Sequence, residues 1–400
     1  MYRISIISLF LVTATTAFSQ KLPESYYRSQ AALENNKVET ALHWIDSAIV
    51  DSPRQPNIWL KKGEIFYHLN KPDSALKSFY HADKLRNGIA SYWIAKYHSL
   101  SGDTVNAIAE LERHLSSIPK EFEATIQLDT AFQSIRNTEQ WQDLWLKQWY
   151  NSNELLAADV AYHFSRREWD YAIDILNERM HGRNVRHLFY ALRGEAYYNI
   201  GSYKAADDDF AQALKRSRRN HSYMAWRGKS LSALSKHRKA IRLLSQAIAQ
   251  SGGEPEYFMA RAKAFASNQE LDNALSDINH YLSFYPNCKE GMIIKLDVSL
   301  RLKRNIDALL IVNRLIKMKP DNYELYLTRA NIYKESKNWE VAEIDYNKAK
   351  ELGANSKELY LSRGTCRFNQ GNSSGACSDW KKAIELGSFV AQELVYKHCP

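Results

Sequence analysis

Apolar residues along this chain recur three or four positions apart, stop, and start again with the same spacing, over and over. Take position 1 of each cycle at Asn153, His187, His221, Pro255, Lys289, Tyr323 and Lys357, so that one cycle is 34 residues long. Apolar side chains then sit at offsets 4, 8 and 11 and at 20, 24 and 27, which is helical periodicity, with a break near position 15. Each cycle therefore predicts two helices joined by a turn. Small residues hold fixed places in the pattern. Position 20 is Ala172, Ala206, Ala240, Ala274, Ala308, Ala342 and Ala376, and position 8 is mostly Gly or Ala, as in Gly194, Gly228, Ala262, Ala330 and Gly364. Large residues alternate with them at position 4 (Tyr190, Phe258, Tyr326, Tyr360) and position 24 (Phe210, Leu244, Val312, Tyr346, Trp380).

If the two helices of a cycle run antiparallel about a turn at 15 to 16, positions whose numbers sum to about 31 face each other. Small residues at 8 and 20 then allow close approach, and the large ones fill the space beside them. A single hairpin cannot bury both its apolar faces, whereas a stack of hairpins can. Self-similarity at this period marks a repeat architecture.

The pattern resembles the tetratricopeptide repeat (TPR) family, with its large residue at 4, Gly or Ala at 8, aromatic at 11, Ala at 20, aromatic at 24 and Ala at 27. Tyr190, Gly194, Tyr197, Ala206, Phe210 and Ala213 carry the match in one repeat; Tyr360, Gly364, Ala376, Trp380 and Ala383 carry it in the last. Upstream units are marked by Ala41, Ile45, Ala48 and Pro53, by Trp59, Gly63, Phe66, Ala75, Phe79 and Ala82, and by Ala95, Gly102, Ala107 and Pro119. The resemblance implies an all-α, right-handed superhelical solenoid of about ten hairpins with a C-terminal capping helix. The expected division is residues 20–118 as an N-terminal array, 119–152 as a divergent hairpin, 153–386 as a C-terminal array and 387–400 as the cap. In 119–152 the small residue at position 20 is missing, and Trp141, Trp145 and Trp149 recur every four residues as one stripe on a helix. A stripe packed on Phe132, an exposed aromatic ridge and a hinge between arrays all fit that spacing.

Residues 1–19 begin with a basic Arg3, continue through an apolar stretch from Ile4 to about Val12, and end on the small Ala17 and Ser19. They read as a secretory leader cleaved before Gln20, which implies export to the periplasm or beyond in a Gram-negative envelope. No other run approaches the roughly 18 apolar residues of a spanning helix. An exported chain can form disulfides. Cys377 and Cys399 lie eleven residues either side of Ser388. They are antiparallel mates about a turn there, the favoured pair, while Cys366 with Cys377, at positions 10 and 21 of one repeat, is the alternative. Cys288 stands more than two repeats away. A zinc set from Cys366, Cys377, His398 and Cys399 lacks the close cysteine pair typical of such sites. The run Gly375 to Trp380 with Cys399 resembles the last repeat of exported TPR proteins from bacteria related to Bacteroides and Flavobacterium.

Searches for catalytic signatures, phosphate loops and metal motifs return nothing, so neither a catalytic residue nor a cofactor nor a metal is expected. Arg at position 7 (Arg193, Arg227, Arg261, Arg329, Arg363) and Asp at position 23 (Asp209, Asp277, Asp345, Asp379) recur together and read as ion pairs across the hairpin. Arg227 lacks that Asp, having Leu243 in its place, and is expected to be available to a ligand or to water. The chain carries a net charge of +9. Between Phe210 and Gly253 there is no acid but ten Lys or Arg, among them Arg218, Arg219, Arg238 and Lys239.

Family geometry puts positions 5 and 9 on the inner face. Position 5 is apolar (Ala191, Ala225, Met259, Ile293, Leu327, Leu361) and position 9 supplies Lys229 and Lys263. The candidate binding set is therefore Arg227, Lys229, Met259, Lys263, Ile293 and Leu327 with the basic Arg218, Arg219, Arg238 and Lys239. It suits a protein or peptide partner with an acidic segment rather than nucleic acid. The alternative is an envelope glycan or anionic small ligand in a basic groove around 215–242.

Overall fold

The computed structural model describes residues 21–118, 120–180 and 185–400. The expected leader at 1–19, its cleavage point before Gln20 and the marker Pro119 lie outside the described residues. Among those described the chain is all-helical: twenty-three α-helices and one 3-10 turn, without a strand.

Backbone conformation at the predicted break carries the repeat. Position 15 is left-handed in every repeat of the register: Asn36, Asn70, Gly102, Arg167, Gly201, Ser235, Gln269, Lys303, Lys337 and Gly371 all have positive φ, from 54 to 83°. One residue in that region reverses the chain between the two helices. Only three of the ten are the glycines that adopt it without cost.

Close approach at position 8 follows the sequence reading. A Cβ added to Gly63 would meet Phe79 at 2.3 Å, one on Gly194 would meet Phe210 at 3.0 Å, on Gly228 Leu244 at 2.7 Å, and on Gly364 Trp380 at 2.7 Å. Each is a position 8 against position 24 of its own repeat. The Ala at position 20 is fully buried in Ala41, Ala107, Ala172, Ala206, Ala240, Ala308, Ala342 and Ala376. Neighbouring hairpins are then joined by aromatic stacking from position 24 to position 6 of the next repeat. Phe79 lies 5.5 Å from Trp93 with planes 17° apart, and Phe210 lies 6.0 Å from Trp226 with planes 7° apart.

The chain divides into two compact units. The first runs to Glu270 and includes Ser283–Tyr285; the second comprises Leu271–Leu282 and Pro286 onward. In the second, one continuous core passes from Met292 and Leu296 through Val312, Tyr346 and Trp380 to Ala391. The closing helix Phe389–His398 packs on it as expected of a cap, and Cys377 is bonded to Cys399. Cys288 and Cys366 are free thiols; burial pushes Cys366 up to about 11.

The divergent segment lies within the first unit and departs from the repeat. It forms a short helix Glu123–Leu128, a 3-10 turn Thr130–Phe132 and a helix Glu139–Leu146. Trp141 is buried against Phe132 at 5.8 Å, as the packed reading of the stripe requires. The single helical stripe is corrected in one respect. The helix stops at Leu146, and Trp149 stands beyond it with its indole N–H donating to the Leu144 carbonyl at 2.7 Å.

Candidate functional site

Position 7 turns out to hold each repeat in two directions. Arg193 donates to both carboxylate oxygens of Asp209 at 2.8 Å, and its remaining nitrogen donates to Asn177 at 2.7 Å. Arg329 does the same with Asp345 (2.7 and 2.6 Å) and Asn313 (2.6 Å), and Arg363 with Asp379 (2.9 and 2.6 Å) and Asn347 (2.8 Å). Every partner is sixteen residues away, one forward at position 23 and one backward at position 25 of the preceding repeat. Arg261 reaches back to Ser245 at 2.9 Å, and Lys62 reaches Asp46 at 2.7 Å, by the same step. The guanidinium fork therefore ties its own hairpin and the one before it, and the planar geometry suits two oxygens at once. The cross-hairpin Asp was visible in the sequence. The backward acceptor was not recognised, although Asn177, Asn313 and Asn347 share one register.

Arg227 corrects the expectation that it stands free. Its Nε donates to Asp207 Oδ1 at 2.8 Å, an acid at position 21 of the preceding repeat. Lacking a position 23 acid, it takes the nearest carboxylate behind it.

The basic segment is also corrected. Residues Ser217–Asn220 form the loop at the N-terminal end of helix His221–Ala233, and Leu234–Lys236 form the turn at its C-terminal end. The helix has 13 residues, so the two ends stand about 20 Å apart at 1.5 Å per residue. Lys215, Arg216, Arg218 and Arg219 are exposed at one end, and Lys236, Arg238, Lys239 and Arg242 at the other. Two cationic clusters replace the single groove expected around 215–242.

In the first unit, what the first helices gather is a belt of buried and half-buried charge. Lys229 lies 4.3 Å from the centre of the Trp226 ring. Its charge acts on Glu195 at the same position of the preceding repeat, and on Glu254 in the following inter-repeat loop. Burial pushes Glu195 up to about 7, and its Oε2 has no hydrogen-bond partner. Burial, then Glu256 and Glu34, push Glu254 up to about 8. Met259 is partly exposed and Lys263 exposed. Upstream, Lys96 at position 9 bonds Asp129 at 3.0 Å and lies 4.4 Å from the centre of the Trp93 ring.

In the second unit the position 5 row is apolar and accessible. Ile293 is 56% exposed, while Leu327 and Leu361 are partly buried against the core. Position 9 there holds Asp297, Asn331 and Thr365. Ala191 and Ala225, of the same row in the first unit, are buried and serve packing. No group of acidic, His and Cys side chains that could hold a metal occurs among the described residues, and no helix there is long and apolar enough to cross a membrane.

No curated protein matches this chain. Among solved structures it is similar to a tetratricopeptide repeat protein from Parabacteroides merdae, at 19% identity and TM-score 0.42, covering 61% of this chain and 97% of that one. It is also similar to the C-terminal part of a TPR repeat-containing protein from Cytophaga hutchinsonii, at 16% identity and TM-score 0.49, covering 59% and 98%. A third is YrrB, described as a TPR protein with an unusual peptide-binding site, at 12% identity and TM-score 0.43, covering 47% and 97%. Family models described as tetratricopeptide repeat match residues 26–88, 188–220 and 227–287. Over those residues, the segments that the spacing of small and large residues marks as repeats are similar to tetratricopeptide repeats.

Proposed function

We propose that this protein is an exported, non-catalytic scaffold of the cell envelope that holds partner proteins or peptides on the face formed by its first helices. The observation that carries the reading is a division of labour within the repeat. Position 20 is Ala throughout, position 24 is bulky, and positions 7 and 8 are mostly Arg and mostly Gly or Ala, and these are consumed by packing and ion pairing, whereas position 9 changes from Glu195 to Lys229, Lys263, Asp297, Asn331 and Thr365. A recurring frame around a column that varies is what a recognition surface requires, since many modest contacts along a rigid support sum to specificity.

In the first unit this column offers Lys229 and Lys263 beside Met259, which favours a segment with an acidic group next to an apolar one. In the second the position 5 row offers Ile293 and Leu327, which favour an apolar anchor. Export rests on the leader read from residues 1–19.

The test is a peptide display selection on the immobilised protein, repeated with Lys229→Glu and Lys263→Glu together. Selected peptides should be rich in Asp and Glu and should lose retention on the double variant, whose helicity by circular dichroism should be unchanged. Equal retention on both proteins would remove the site from this face.

A further inference from the structure

Repeat stacks make contacts between neighbours in sequence. The first unit breaks that rule at one place. The helix Glu24–Glu34 is docked on residues more than 220 positions later. The Leu22 amide donates to the Ser251 carbonyl at 3.1 Å, and the Tyr27 hydroxyl donates to the same carbonyl at 2.8 Å. Asn35 Nδ2 donates to the Phe284 carbonyl at 3.4 Å. The Arg28 guanidinium lies 4.6 Å from the centre of the Phe284 ring. Tyr27, Ala31 and Phe284 form a small apolar cluster of their own, apart from the core of the first hairpin.

Arg28 occupies position 7 of the first repeat, whose cation elsewhere reaches back to the preceding repeat. In the first repeat of the register the Phe284 ring takes the place of that backward acceptor.

Gly252 shows how closely the docking is fitted. Its φ is +87°, and a Cβ there would lie 2.0 Å from the Leu22 carbonyl oxygen and 2.9 Å from Lys21 Cγ. Gly253 next to it, at φ +107°, would meet nothing within 4 Å.

The same contact is opposed by charge. Glu254 is faced by Glu256 from its own segment, by Glu34 and Tyr27 from the docked helix, and by Lys229 from helix His221–Ala233. Tyr257 and Tyr26 also face Glu254, and Lys61 and Glu64 face Tyr26. Glu256 and Glu34 thus both act on Glu254 beside the docked helix, with Lys229 the cation that faces Glu254 and Lys61 the cation that faces Glu34.

We propose that the helix Glu24–Glu34 is a reversible clasp, which when docked on Ser251–Glu254 and Phe284 closes the first unit's chain on itself and when released uncovers the edge of its first hairpin. Closure is specified by shape and hydrogen bonds yet rests on a small apolar contact, which is the balance a two-state element needs. Ionisation of Glu254, whose burial places it at about 8, drives release, because the docked form binds the proton more tightly than the open form. The docking stands independently of the binding face proposed above; its consequence for access to that face rests on that reading.

Hydrogen exchange of the full-length protein, read on peptides within residues 22–35 and corrected for the chemical exchange rate, tests this. Gly252→Ala should lose protection there by at least about tenfold, while Gly253→Ala, with the same left-handed strain but no collision, should keep it. Tyr27→Phe, which removes one hydrogen bond to Ser251, should lose about fivefold. Wild-type protection should fall by about tenfold per pH unit between pH 5 and pH 7 and level off above pH 8, and Glu254→Gln should abolish that fall. Equal protection in Gly252→Ala and Gly253→Ala would overturn the clasp, as would Tyr27→Phe exchanging like wild type. A pH-independent wild type would overturn the release mechanism.

Discussion

Arg363 and Asp379 form the most deeply buried of the repeated ion pairs, with side chains 6% and 4% exposed. Their surroundings predict an asymmetry between the two partners. If Asp379 is replaced by Ala, the Arg363 cation keeps only the Asn347 oxygen at 2.8 Å and the Tyr360 ring, whose centre is 5.6 Å away. It is left charged, buried and without a counter-ion, and stranding such a charge costs about 3–5 kcal/mol. If Arg363 is replaced instead by Met, which retains the length of the stem, Asp379 still holds Arg367 at 3.1 Å. That loss should therefore be smaller, about 1–3 kcal/mol, the range for a hydrogen bond to a charged group. The double variant Arg363→Met with Asp379→Leu removes both charges and should cost less than Asp379→Ala alone, giving a coupling term of opposite sign to the single losses.

The readout should be local, because a repeat stack opens piecewise and one global transition does not report on one repeat. Hydrogen exchange of peptides within residues 357–385 gives the opening free energy of that hairpin. The exposed pair Lys204 with Asp208, at 66% and 61% exposure, supplies the contrast, since breaking it should leave local exchange unchanged. A loss below 1 kcal/mol for Asp379→Ala, or equal losses for Asp379→Ala and Arg363→Met, would refute the argument.

Gly63→Ala should destabilise its hairpin by about 1–3 kcal/mol despite a better helix propensity, and Gly194→Ala its own by less, because the new methyl meets Phe79 at 2.3 Å but Phe210 at 3.0 Å; hydrogen exchange of peptides within each hairpin would rank them, and the reverse order would contradict the packing. Replacing Cys377 and Cys399 by Ser opens a loop of separation 22 and should cost about 3 kcal/mol on the loop-entropy account, seen as faster exchange confined to Phe389–His398. Lys303→Gly and Lys337→Gly place the natural residue at a left-handed turn, φ 56 and 58°, and should raise the unfolding midpoint by an amount equivalent to about 1 kcal/mol. In the first unit Glu195 and Glu254 are raised to about 7 and 8 while His114 and His221 are lowered to about 4, all by burial. The carboxylates contribute stability that is full below about 4.5 and lost as pH rises through 7 to 8; the histidines contribute stability that is full above about 6.5 and lost as pH falls toward 4. Stability should thus stay level from pH 9 to about 8, rise as pH falls from about 8 to 6.5 and then flatten, and a steady rise or fall across pH 5–9 in denaturation midpoints would show that these groups do not govern it.

What could be read from the residues is what repeats. Position 20 fixes the phase because any side chain larger than Ala meets the partner helix, so the same residue is required at each turn of the stack; the Gly at 8 and the bulky residue at 24 follow from the same close contact. Arg193 and Asp209 were legible as a pair for that reason, and Asn177 could have been, since it recurs with Asn313 and Asn347 by multiples of 34. Arg227 was misread because its partner Asp207 compensates for a missing acid at one place only, and a single compensation leaves no periodic trace. The short helices of residues 123–146 escape the register because no small residue holds position 20 there, so aromatic packing around Phe132 sets the local path instead. The docking of Leu22 and Tyr27 on Ser251 is the extreme case. It depends on how the small angles between successive hairpins accumulate over the first unit, and each angle is set by side chains that vary between repeats, such as Trp93 stacked on Phe79 and Trp226 on Phe210. Periodicity specifies that neighbours stack; only the summed geometry specifies where the chain meets itself. A contact of that origin is therefore the one most sensitive to single substitutions far from it. Replacing Trp93 by Leu, about a third of the way along the chain between the ends that meet, should weaken protection of residues 22–35 without touching either docking partner.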